Sequence, residues 1–230
     1  LKTDLITNVS HDIKTPLTSI INYVDLLKRE NIQDPKIQGY LDILEAKAQR
    51  LKHLTEDVVE ASKISSGNIT MEYMNINFVE MINQTTGEFA EKFEKRNLQI
   101  VLNVPEKPVM VRTDGRRMWR VIENIYNNAA KYALEGTRVY ADLIEKEHTV
   151  EFSLKNISEQ PLNISADELT ERFIRGDVSR STEGSGLGLS IAKNLTELQG
   201  GKFELYLDGD LFKVTIVFPK AVVGQSVTKS

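Results

Sequence analysis

A histidine beside a carboxylate, in the run Ser10-His11-Asp12-Ile13-Lys14-Thr15-Pro16-Leu17, is the first arrangement in this sequence able to do covalent chemistry. Apolar residues at Ile6, Val9, Ile13, Leu17, Ile20, Val24 and Leu27 step by three and four, which marks one buried stripe of an α-helix. At about 100° per residue, His11 lies opposite the middle of the Val9/Ile13 seam, and Thr15 returns to the same solvated side one turn later. Asp12 can hold one imidazole nitrogen as N–H and leave a lone pair on the other, the state a nucleophile needs. Without such a neighbour a surface histidine is usually inert. Pro16 withdraws a backbone donor, so a kink or loosened ladder is expected just beyond the histidine.

A second set of polar residues lies in the run 124–132. Asn124, Asn128 and Lys131 fall at i, i+4 and i+7 on one side of a helix, whose other face carries Trp119, Val121, Ile122 and Ile125. Three aligned polar groups fit the lining of a ligand cleft, and they fit equally a helix face turned to water. Downstream, Gly184, Gly186 and Gly188 stand at the start of another helix. Backbone without side chains lets N–H groups reach a phosphate at the positive end of that helix. No Walker lysine–serine pair follows the glycines and no opening βαβ unit carries them, which disfavours the P-loop and dinucleotide folds.

The elements that must position these residues follow from periodicity. After the first helix, residues 30–35 gather breakers and an N-cap candidate, with Pro35 suited to a first helical position. A second helix has its stripe at Ile37, Leu41, Leu44, Ala48, Leu51, Leu54, Val58 and Ala61. One hairpin of two such helices has too narrow a seam to serve as a core. Two hairpins packed as a four-helix bundle would bury both stripes, so a homodimer is expected. The linker is Ser65-Ser66-Gly67-Asn68, beyond which the period changes. Strands are expected at 69–74, 98–104, 109–112, 138–145, 149–156, 202–207 and 211–218, and helices at 78–95, 115–133 and 187–198. Asp114 is the expected cap of the second of these helices, and Asp208-Gly209 the expected hairpin turn. The resulting organisation is a helical hairpin over 1–66 and an α+β sandwich, one mixed sheet with helices on one face, over 67–220. A frayed tail is expected from Lys220, with 221–230 disordered.

Composition narrows the partners. The net charge of −4 and the lack of a basic run argue against nucleic acid or an anionic membrane surface. There is no cysteine, which excludes disulfides and thiolate metal sites and fits a reducing, cytoplasmic compartment. No apolar run approaches the roughly 18 residues that cross a bilayer, so membrane attachment is expected only through an upstream segment. His53, beside the stripe of the second helix, and His148, in a hairpin turn, are expected to be structural or solvated.

The His11 string resembles the phospho-acceptor box of the sensor histidine kinases of two-component systems, a His-Asp/Glu-x-x-Thr/Asn-Pro pattern, and matches it at every position. The asparagine helix is similar to the N box, and residues 184–189 to a glycine box, of the Bergerat-type ATP-binding domain shared by histidine kinases, gyrase and MutL. Glu171-Arg172-Phe173-Ile174-Arg175 resembles the F box of its lid. The resemblance implies ATP as substrate and Mg²⁺ held by Asn128. It further implies phosphate contacts from Asn124 and Lys131, nucleotide packing on Tyr132, a phosphate cradle at Gly184, Gly186, Leu187 and Gly188, and Arg175 reaching the γ-phosphate. By the same resemblance His11 takes the phosphoryl group with help from Asp12 and hands it to a response-regulator receiver domain, while Thr15 occupies the phosphatase position. One box departs: where the family has Asp-x-Gly-x-Gly, this chain reads Asn156-Ile157-Ser158-Glu159-Gln160. An amide can still accept the adenine hydrogen bond, but more weakly than a carboxylate. Two rivals follow: a non-catalytic dimeric adaptor or phosphatase-dominant variant, and a gyrase-type ATPase. The ATPase needs a carboxylate where Asn124 stands, and Glu123 points about 100° away.

Overall fold

The computed structural model describes residues 2–65, 67, 69–162 and 187–221, with backbone alone for 2–12 and 65. They fall into two compact units, the first holding 2–69 and Leu187 and the second 70–162 and 188–221.

The first unit is a hairpin of α1 (Lys2–Arg29) and α2 (Pro35–Ser65). Pro16 lies inside α1, which runs through it unbroken. The expected loosening takes another form, in which Thr18 Oγ1 donates to Lys14 O at 2.8 Å and Ser19 Oγ to Thr15 O at 3.3 Å. Such back-bonding competes with the helical ladder and bends helices gently. Asn31 turns the chain with φ 52°, and Asp34 Oδ1 accepts from Lys36 N at 2.8 Å to cap α2. Across the hairpin Lys28 meets Asp42 at 2.8 Å and Glu45 at 2.6 Å, and hydrogen bonds to these carboxylates hold its pKa above the usual range. Leu17, Val24, Leu41 and Ala48 are buried, but Ile13, Ile20, Leu27, Ile37, Leu44, Leu51 and Val58 remain 39 to 51% exposed. Two helices share a single line of contact, so half of each apolar stripe is left without cover among the described residues.

The second unit holds β1 (Tyr73–Asn77), α3 (Phe78–Glu94), β2 (Gln99–Asn103), β3 (Met110–Asp114), α4 (Gly115–Tyr132), β4 (Arg138–Glu145), β5 (Thr149–Ile157), α5 (Gly188–Leu198), β6 (Lys202–Asp208) and β7 (Leu211–Pro219). Its main sheet has the order β2-β4-β5-β7-β6, parallel only between β2 and β4. The single sheet expected from sequence is corrected: β1 and β3 form a separate antiparallel ribbon. The strand expected at 69–74 lies further on, because side chains fix both ends of the ribbon. Asp114 Oδ2 accepts from Glu72 N at 2.9 Å, just before Tyr73 pairs with Asp114. Asn77 Oδ1, at the other end, caps α3 by accepting from Val79 N at 3.2 Å.

One face of the sheet carries the core. Phe152 and Leu154 of β5, and Phe212, Val214, Ile216 and Phe218 of β7, alternate inward against residues of α3, α4 and α5. Tyr126 of α4 is wholly buried, stacks on Phe152 with ring centroids 6.2 Å apart, and shares a 2.8 Å hydrogen bond between its hydroxyl and Thr86. Burial pushes its phenol up to about 12, against the hydrogen bond from Thr86. Trp119, expected on this core face, is only half-buried.

Asp114 caps α4 as expected, accepting from Arg117 N at 3.1 Å. Burial raises its pKa, but hydrogen bonds from the Glu72 and Arg117 backbone more than offset this, and the carboxyl lies below its ordinary range. Buried Gln199 ties this cap to the end of α5: its Oε1 accepts from Thr113 Oγ1 and from Asp114 N, and its Nε2 donates to Leu195 O. The β6–β7 turn is Gly209-Asp210, one residue later than expected, with φ 57° at Gly209 as a type II′ hairpin requires. The expected fraying from Lys220 is also corrected, since Lys220 N donates to His148 O at 2.9 Å and Ala221 N to Met110 O at 3.0 Å.

Between α5 and β6, Gly201 packs directly on a core ring, and a β-carbon there would lie 2.5 and 2.6 Å from carbons of Phe218. Gly201→Ala is therefore expected to cost about 2 kcal/mol of overpacking and to lower the calorimetric Tm by about 4–8 °C.

Candidate functional site

The polar side of α4 supplies the centre of the site. Asn124 is 7% exposed, and its Nδ2 has no hydrogen-bond partner among the described residues. An orphaned buried amide costs about 1–3 kcal/mol, which makes Asn124 a candidate for a bond supplied by a ligand. Its neighbour is the start of α5. A β-carbon on Gly188 would lie 3.2 Å from Asn124 Oδ1, so a glycine keeps the positive end of that helix close to the amide. Asn128 follows one turn along α4, half-buried, and its side chain makes no hydrogen bond among the described residues. Lys131 Nζ lies 4.7 Å from the ring centroid of Tyr132, an arrangement that holds the ammonium over the aromatic face.

Asn156 comes to the same end of α4 from the sheet. Leu134 N donates to Ile157 O at 2.8 Å and Glu159 N to Tyr132 O at 2.8 Å, which seats the exit of β5 on the last turn of α4. Asn156 is 4% exposed, and its Nδ2 donates to Ile157 O at 3.1 Å. The reversed amide would set two oxygens together, so Oδ1 is the end without a partner among the described residues, able to accept from a ligand.

The remaining candidates lie on other elements or outside the described residues. His11 and Asp12 lie in α1, their side chains outside the described residues, and Thr15 is exposed on the same helix one turn on. Arg175, Gly184 and Gly186 fall outside the described residues, and Leu187 directly precedes α5. His53 and His148 are exposed. Glu123 is paired with Arg120 at 2.9 Å. Sequence reasoning missed Arg96, whose guanidinium reaches the carbonyls of Ala130 and Lys131 and the carboxylate of Glu159. Backbone carbonyls leave no residue pattern, so no motif signalled it.

A buried amide, a glycine-led helix start and a free amide oxygen together suit the phosphates and base of a nucleotide. A neutral oxygen such as Asn128 Oδ1, with phosphate oxygens completing the shell, also suits a hard divalent cation such as Mg²⁺. Among the described residues no helix is long and apolar enough to cross a membrane.

A helical hairpin followed by an α+β sandwich is also the order in which two family models match the chain. Residues 1–67 match the His Kinase A (phospho-acceptor) domain, and residues 113–222 match the histidine kinase-, DNA gyrase B-, and HSP90-like ATPase. The chain belongs to the sensor histidine kinases. It is 32% identical over 222 residues to the sensor protein VanSC of Enterococcus gallinarum, covering 95% of this chain and 61% of that relative. Among solved structures, full-length ShkA in complex with AMPPNP matches with a TM-score of 0.77 at 20% identity, over 96% of this chain and 47% of that one. The histidine kinase ThkA in complex with the response regulator protein TrrA matches with a TM-score of 0.62 at 23% identity, over 95% of this chain and 61% of that one. The chain thus spans about three-fifths of its curated relative's length.

Proposed function

We propose that this chain is the cytoplasmic kinase core of a two-component sensor, with a phospho-acceptor hairpin over 1–66 and a catalytic domain over 67–220, and that it phosphorylates itself on His11 from ATP. The observation that carries this reading is the orphaned Nδ2 of Asn124 beside Gly188, where a helix face meets a helix start. Asn156 Oδ1 accepts from the adenine amino group, Tyr132 packs against the nucleotide, and Asn124 and Lys131 contact phosphate oxygens. The start of α5, with Gly184, Gly186, Leu187 and Gly188, cradles the phosphates, and Arg175 reaches the γ-phosphoryl group. Mg²⁺, held by Asn128, would supply charge neutralisation on the phosphate oxygens.

In the transfer, one imidazole nitrogen of His11 forms a bond to the γ-phosphorus as the bond to the β-bridging oxygen breaks. ADP leaves with the electron pair, and Asp12 takes the proton from the ring. Lys131 and Arg175 offset the charge on the moving group, where most of the rate arises. The phosphoryl group then passes to an aspartate of a response regulator, as the ThkA complex with TrrA suggests, and Thr15 aligns water for hydrolysis of that phosphoaspartate. The half-exposed apolar stripes of α1 and α2 are the faces on which a second copy closes a four-helix bundle.

Pairing of Glu123, the carboxylate next to Asn124 in sequence, with Arg120 disfavours its use as the base of a hydrolytic ATPase. Incubation with magnesium and γ-labelled ATP tests the proposal: acid-labile, base-stable label on His11 is expected, and its absence refutes the kinase reading. Replacing Asn156 by aspartate is expected to tighten ATP binding about tenfold, the value of roughly 1.4 kcal/mol gained by a charge-assisted bond. Calorimetry that finds unchanged or weaker binding would remove Asn156 from the base site.

A further inference from the structure

The strap at 156–160, which stands where the family has Asp-x-Gly-x-Gly, is tied to its surroundings at several points. Ser158 and Ala133 form an antiparallel bridge, Ser158 N donates to Asp210 O at 2.7 Å, and Ser158 Oγ accepts from Gln160 N at 3.3 Å. Beside this strap lies Arg96, its side chain 25% exposed. Its Nη1 donates to Ala130 O at 3.0 Å and Lys131 O at 2.5 Å, and its Nη2 to Glu159 Oε2 at 3.0 Å. The two carbonyls belong to the last turn of α4, where a helix leaves acceptors without intrahelical donors and where its dipole favours a cation. The turn carrying Arg96 is itself held. Asn97, with φ 51°, donates Nδ2 to Glu135 Oε1 at 3.1 Å, and Arg96 N donates to Phe93 O at 3.1 Å.

We infer that Arg96 and Glu159 are positioning residues for nucleotide binding, a clamp that fixes the last turn of α4, with Lys131 and Tyr132, against the β5 exit that carries Asn156. The inference rests on the nucleotide site proposed above. A strand end with two glycines can bend onto a ligand, whereas Ser158 and Gln160 carry β-carbons and the strap is bonded along its length. The distance between the two walls of the site is therefore decided by the groups that tie them together. As an ion pair the Arg96–Glu159 contact contributes little, because Glu159 is half-exposed. What it supplies is geometry: a planar fork holds three acceptors in one arrangement, which a lysine ammonium cannot reproduce.

Calorimetric titration of the intact chain with adenosine, and separately with ATP and magnesium, tests this. Arg96→Lys is expected to weaken adenosine binding about tenfold and ATP binding at least as much, and Glu159→Gln to weaken both about threefold. Neither change should shift the nucleotide-free Tm by more than about 3 °C, the readout that separates positioning from folding. Variants that bind both ligands as the unaltered chain does would overturn the clamp, as would losses confined to ATP or matched by a collapse in Tm. An unaltered chain that takes up neither ligand would instead overturn the nucleotide site, and the clamp with it.

Discussion

Glutamine at position 11 is expected to abolish labelling from γ-labelled ATP, to below about one-thousandth of the unaltered chain, while ATP affinity stays the same. The amide nitrogen of glutamine has its lone pair delocalised into the carbonyl, so it cannot attack phosphorus as an imidazole nitrogen does. Glutamine is otherwise a good helix former of similar bulk, and position 11 lies within the unbroken α1, so the hairpin should form unchanged. Phosphate analysis after acid and base treatment, alongside calorimetric ATP binding, checks both halves. Residual acid-labile label would place the phospho-acceptor elsewhere.

Asn128→Ala is expected to reduce the same labelling by about 100-fold or more, equivalent to roughly 2.7 kcal/mol in the barrier. The truncation removes the neutral oxygen proposed to hold Mg²⁺ against the phosphates but leaves Asn156 and Tyr132 in place. Adenosine affinity should therefore be unaffected, whereas magnesium-dependent tightening of ATP should vanish. Asn128 makes no side-chain hydrogen bond among the described residues, so its loss strands no partner and the fold should persist. Mixing this variant with the glutamine variant adds a further readout. Label then appears only if the nucleotide of one protomer serves the histidine of the other.

Much of this architecture was legible because its signals are local. Alternation placed β4 at residues 138–145, where it lies, and the threes and fours of 6–61 gave the two long helices. Asp114 was recognised as a cap because the capping bond spans three residues. The misplaced elements are those decided by distant partners. The first strand begins at Tyr73 because Asp114, far along the chain, receives the amide of Glu72. Tyr126, rather than Trp119, fills the core because Thr86 of α3 meets its hydroxyl and Phe152 of β5 its ring. The candidate site divides in the same way. Its asparagines and glycines were visible as spacing, while Arg96 was not, since it acts on main-chain oxygens 34 and 35 positions away.

The uncovered apolar halves of α1 and α2 make the hairpin's durability a matter of mass action. If a second copy supplies the missing cover, every tenfold dilution removes about 1.4 kcal/mol from each associated pair. Folding of the hairpin then tracks how many copies are present, while the sandwich that follows, with its own core, should melt at the same temperature at any concentration.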